Sequence, residues 1–158
     1  MKRKLTQNGM VCLLVLVAVL VLSTCKKDGI GTLNITGTWY TLPYNSKTIV
    51  NQYQFKSDST FEFTTYKIDS ISKKTIGYES KLTGNYNLNK NTLNFTGLQY
   101  FVNPTYAFGP ASLLTPIDGP VTETYTIALN YPKNQLWFYF ICPINADCVP
   151  SPIIYHKR

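Results

Sequence analysis

From Ile76 to Leu88 the chain alternates without a break. Ile76, Tyr78, Ser80, Leu82, Gly84, Tyr86 and Leu88 share one parity, and Gly77, Glu79, Lys81, Thr83, Asn85 and Asn87 hold the other. Residues two apart in a strand lie on one face, so this run predicts a long strand with one mostly apolar side and one wet side, as in an antiparallel sheet. A long strand cannot leave its edges bare without inviting aggregation. The rest of the chain must therefore supply partners. Gly84, inside the run, predicts a bend or bulge.

Those partners are legible on both sides. Gly37-Thr38-Trp39-Tyr40 opens a first strand. Tyr53 and Phe55 alternate with Gln52, Gln54 and Lys56, and Phe61, Phe63 and Thr65 alternate with Glu62, Thr64 and Tyr66. The turn signal Ser57-Asp58-Ser59 lies between them, so the two runs read as a hairpin. After the long strand, Asn89-Lys90-Asn91 turns the chain into Leu93 and Phe95. Residues 97–120 then break the rhythm with Pro104, Gly109-Pro110, Pro116 and Asp118-Gly119-Pro120. So long a connection is expected to be functional or loosely ordered. Its aromatics, with Tyr100-Phe101 as a short strand piece, argue that part of it packs on the body. Val121, Glu123, Tyr125, Ile127 and Leu129 resume the alternation. The run from Leu136 to Ile141 is apolar on both parities and predicts a strand covered on both faces. Ile153 to His156 forms a last strand. No helical apolar period is sustained after residue 25. The 12 Tyr and 8 Phe suit strands. The expectation is all-β: an up-and-down antiparallel barrel of about eight strands, enclosing packed side chains or one small ligand.

The N-terminus is different in kind. Lys2, Arg3 and Lys4 precede an apolar run from Met10 to Leu22, too short for a membrane span of about 20 residues but suited to the core of a signal peptide. Leu22-Ser23-Thr24-Cys25 resembles the lipobox of bacterial lipoproteins, and Lys26-Lys27-Asp28 is similar to the start of mature lipoproteins of the Bacteroidota. The resemblance implies a signal peptide over residues 1–24, a lipidated Cys25 with a tether over 25–35, and a domain over 36–158. It implies an exported protein held to a membrane, most simply the outer one, through lipid on Cys25. The alternatives are an ordinary secretory signal with an incidental cysteine and a retained signal anchor. Removing three leader cations from 15 basic and 8 acidic residues takes the net charge from +7 to +4. The remaining charges are scattered, which argues against nucleic acid as a partner.

Gly37-Thr38-Trp39 resembles the Gly-x-Trp that opens lipocalins. "GTWY", "YQFKSDSTFEF" and "GNYNLNKNTLNF" in that order resemble the lipocalin-like domains of bacterial lipoproteins. In related sequences the first turn often reads Asp-Gly, where this chain has Asp58-Ser59. The resemblance implies that Gly37 and Trp39 close a barrel floor beneath a basic side chain, for which Lys157 and Arg158 are the candidates.

Few residues invite chemistry. Cys142 and Cys148, in an exported domain, suggest a disulfide. With His156 they supply too few ligands, at the wrong spacing, for zinc, so no metal or cofactor is expected. His156 is the only histidine and reads as terminal and solvated. No nucleophile elbow or phosphate-cradling loop occurs, and an enzyme is not expected. Tyr53, Phe63, Tyr78, Tyr86 and Tyr125 are on the apolar parity and are the candidate ligand wall. Glu123 shares that parity. It either points inward to meet a cationic or hydroxylated ligand or sits at the rim in water. The expected function is binding of a small hydrophobic or amphipathic molecule at the cell envelope, with residues 97–120 flanking the mouth. The rival is a filled barrel acting as a protein-interaction or inhibitor module on another envelope protein.

Overall fold

The computed structural model describes residues 33–43, 46–105, 107–140 and 151–158. Nine strands carry the fold: β1 (Gly37–Thr41), β2 (Ile49–Phe55), β3 (Thr60–Ile68), β4 (Thr75–Asn89), β5 (Thr92–Val102), β6 (Thr115–Ile117), β7 (Thr122–Asn130), β8 (Gln135–Tyr139) and β9 (Ile153–Lys157). All pairings are antiparallel. The spatial order is β4-β3-β2-β1-β9-β8-β7-β5-β6, and β4 also pairs with β5. Eight strands thus form a ring, with β6 added beside the far end of β5. Each strand of the ring gains two partners, which answers the edge problem set by β4.

The predicted hairpin forms in register, with Tyr53 opposite Phe63 and Phe55 opposite Phe61. Its turn is stapled by Asp58, whose carboxylate accepts from the Thr60 amide at 3.0 Å and hydroxyl at 2.6 Å. Ser59 sits at φ 64°, a left-handed conformation that suits glycine.

Two irregularities decide which side chains face inward. Thr83 pairs with Gln99 and Asn85 with Thr96, so Gly97 and Leu98 together oppose Gly84. The extra residue belongs to β5, and Gly97 takes φ 60°, the left-handed geometry of a glycine-initiated bulge. Gly84 provides the space: a Cβ there would sit 2.8 Å from the Thr96 carbonyl oxygen and 2.9 Å from Leu98 Cδ2. Second, Thr65 pairs with Ser80 but Tyr66 with Tyr78. Glu79 is the extra residue, and such a slip exchanges faces. Tyr78 therefore lies opposite Tyr66 on the outer side, their rings 6.0 Å apart, and does not share the face of Leu82 as strict alternation predicts. A third shift, between Lys67 and Ile68, leaves Ile76 as the extra residue, and it is exposed.

The connection after β4 is more regular than its sequence suggests. β5 continues through Gly97 to Val102, and β6 pairs with its last residues. Asn103 is buried, and its amide donates to the Glu79 carbonyl at 2.8 Å. Gly109 exchanges backbone hydrogen bonds with Tyr78 at 2.7 and 3.1 Å. This segment lies against the start of β4.

The interior is aromatic. Tyr53 stacks on Phe55, Phe95 and Phe138 at 5.3, 6.0 and 5.1 Å, and Tyr155 meets it edge-on at 5.2 Å. Ile35, Leu82, Leu93, Leu98, Ile127 and Leu136 complete the core. In β8 only Leu136 and Phe138 are buried; Trp137 is half-buried and Tyr139 exposed. The two-sided cover expected from its composition is not seen among the described residues. Beside the half-buried Trp137, Tyr131 and Tyr139 are exposed on the outer side of β7 and β8.

Candidate functional site

The two ends of the ring differ. At one end Trp39 is buried, and its indole N–H donates to the Ile35 carbonyl at 2.6 Å. Trp39 pairs with Lys157 across β1 and β9, and Lys157 Nζ lies 5.3 Å over the indole ring. A cation over an indole face is attracted by the ring quadrupole. Of the two basic residues suggested by sequence, Lys157 is the one on Trp39. Arg158 reaches outward to Gln52. Tyr86 is toward this end too, edge-on to Phe55 at 5.0 Å, with its hydroxyl donating to the Lys56 carbonyl at 2.8 Å.

The opposite end is more polar. One register row joins Thr41, Asn51, Thr65, Ser80 and Val102 across β1 to β5, on the parity that carries Tyr53 and Phe63. These residues are half-buried, and the Thr65 hydroxyl donates to Asn51 Oδ1 at 3.0 Å. Phe63, Tyr100, Tyr125, Phe140 and Ile153 pack on the core but keep part of their surface. Tyr125 touches Phe95, Phe138 and Phe140 edge-on.

Glu123 lies among them. It pairs with Phe95, a core residue, so its side chain follows the inward parity. Its carboxylate accepts from the Tyr100 hydroxyl at 2.6 Å and the Tyr125 hydroxyl at 2.5 Å. Both phenols are pushed well above the ordinary tyrosine range, first by burial and then by this carboxylate, which favours their neutral, donating form. Tyr155 is raised by burial alone. Tyr53 is raised by burial and by the same cluster. Gly119 lies against the Tyr100 ring, where a Cβ would come within 2.5 Å. The segment before β7 thus holds one phenol in place.

The six candidate ligand residues separate. Glu123 and Tyr125 are joined by a hydrogen bond at the polar end, Phe63 lies opposite Tyr53 and packs on it at 4.6 Å, Tyr86 is toward the Trp39 end, and Tyr78 is outside. Tyr100 joins the cluster, although its sequence places it in a broken connection. Asn51 and Ser80 share the inward row at the same end, which their parity with Tyr53 and Leu82 signals. Cys25, Cys142 and Cys148 lie outside the described residues. His156 is exposed on β9, its ring 6.1 Å from that of Tyr40. Among the described residues no three His, Cys, Asp or Glu side chains come together as metal ligands would. Compared with protein-family models, curated proteins and solved structures, the chain matches none.

Proposed function

We propose that this chain is a lipid-anchored, lipocalin-like lipoprotein of the bacterial envelope that binds a small amphipathic molecule at the polar end of its ring. The observation that carries the reading is the inward Glu123 carboxylate, held by two phenols beside an aromatic wall. A carboxylate offers about four acceptor sites, and the two phenols occupy two. A ligand hydroxyl or ammonium would take the others while its apolar part rests on Phe63, Tyr125 and Phe140. An apolar wall with a few convergent polar groups is the usual form of a small-molecule site. Trp39 beneath Lys157 and the closed antiparallel ring support the lipocalin-like assignment. The apolar run before Cys25 supports the anchor. The role proposed for the cluster is binding.

The test is native mass spectrometry of the full chain released gently from an exporting host. An adduct of on the order of a few hundred daltons, lost in Glu123→Gln and Tyr100→Phe, is expected. A clean apo mass across a screen of amines, polyols and lipids would overturn the reading. The patch of exposed Tyr131 and Tyr139 around half-buried Trp137 favours a second one, a protein-interaction module whose interior is structural. A photo-crosslinker at Tyr139 that yields one discrete adduct, lost in Trp137→Ala, would support it.

A further inference from the structure

The outer face of β1, β2 and β3 carries a groove of about 330 Å³ that the site above does not use. Its floor is Tyr40, Val50, Tyr66 and Ile68. Val50 and Tyr66 are paired across the strands and are 5% and 7% exposed. They point away from the ring interior yet are as covered as core residues. Leu42, 43% exposed, forms one lip.

The rim is basic in its side chains: Lys47, Lys73 and Arg158 line it, and the Asp69 carboxylate, in the turn that carries Lys73, is held by the Ile71 and Ser72 amides. Arg158 is held in place: its Nη1 donates to Gln52 Oε1 at 3.1 Å and to the Tyr66 hydroxyl at 3.4 Å, while that hydroxyl donates to the same Gln52 oxygen at 2.9 Å. A guanidinium has five N–H donors in a fixed fork, so one nitrogen fixes the group and the others can meet an anion. Lys73 donates to the Ser70 carbonyl at 2.7 Å, which keeps its charge beside the groove. The same turn carries Ile71, 90% exposed.

We propose that this groove binds a single-chain anionic amphiphile, a medium-chain carboxylate in its simplest form. The acyl chain lies along Leu42 and Ile68 above the covered Val50 and Tyr66, and the carboxylate is held by Arg158 and Lys47. Charge complementarity selects the headgroup: a cationic amphiphile would meet three like charges, and a small inorganic anion would leave the apolar floor unused. Size selects one chain, because the volume is at the low end of the roughly 300–1,000 Å³ of ligand sites. The polarity is opposite to that of the Glu123 cluster, so the two sites take different molecules, and this inference stands apart from the function proposed above.

The test is photolabelling of the full chain in phosphatidylcholine nanodiscs with dodecanoate bearing a diazirine on its chain, followed by peptide mapping. Label on Leu42 or Ile68 is expected, displaced by plain dodecanoate and not by dodecyltrimethylammonium. Arg158→Gln with Lys47→Gln lowers it about tenfold or more, the loss expected for a charge-assisted contact, and Arg158→Lys restores part. Leu42→Glu, a change at a half-exposed lip, gives a second loss that does not depend on the arginine network. Label confined to peptides of the ring interior, equal displacement by the cationic amphiphile, or full labelling of Leu42→Glu would overturn the proposal. So would displacement by phosphatidylglycerol nanodiscs as effective as by free dodecanoate, since the site would then read a lipid surface.

Discussion

Ser59 and Gly84 exchange the roles that composition suggests for them. Ser59 adopts φ 64°, where a side chain is strained by roughly 1–2 kcal/mol. Ser59→Gly is therefore expected to stabilise the domain by on the order of 1 kcal/mol, read as a raised urea midpoint at constant slope. At Gly84 the constraint is space. A Cβ would press on the Thr96 carbonyl and Leu98 at once, and backbone cannot move aside. Gly84→Ala should cost about 1–3 kcal/mol, as overpacking does, in the same urea assay. Lys157 offers a third reading: its ammonium lies over Trp39 while the residue itself is exposed. Lys157→Gln is expected to cost about 0.5–1 kcal/mol, whereas Trp39→Ala should cost about 3–5 kcal/mol.

At the scale of elements, β8 separates its two faces. Phe138 is fully buried in the stack around Tyr53, and its neighbour Tyr139 is exposed. Phe138→Ala is expected to cost about 3–5 kcal/mol, and Tyr139→Ala to stay within about 0.5 kcal/mol of the parent. Equal losses in thermal unfolding would show that the outer face is covered. The period-two pattern places β2 to β5 and β7, because alternation is a local property of pleated backbone. It misplaces Tyr78, because one extra residue at Glu79 exchanges the faces and no residue type announces such an insertion. Tyr100 was obscured for a related reason: Gly97 reads as a break, yet it is the bulge that lets β5 continue.

Across the whole molecule the phenols set the alkaline limit. Tyr53, Tyr155, Tyr125 and Tyr100 all have raised pKa values, burial being the first cause in each case. An unfolded tyrosine ionises near about 10. Below that pH both states keep these protons and the stabilisation is complete. Above it the unfolded chain releases them first, so stability falls as pH rises toward the folded values. Urea midpoints should be flat from about pH 7 to 9 and drop beyond about 10, together with a cooperative rise in tyrosinate absorbance. A gradual rise with no loss of structure would show these hydroxyls to be open to water.

The all-β class, the turns, the aromatic interior and the position of Trp39 follow from local pattern, since each depends on neighbours within a few residues. The meeting of Glu123 with Tyr100 and Tyr125 does not, nor does the assembly of Arg158, Lys47 and Val50 around one groove. Tyr100 is 23 residues from Glu123, and Arg158 comes from the opposite end of the domain to Lys47 and Val50; they are joined by strand register, ring closure and bulges. These are set by packing across the sheet, which only the tertiary structure decides.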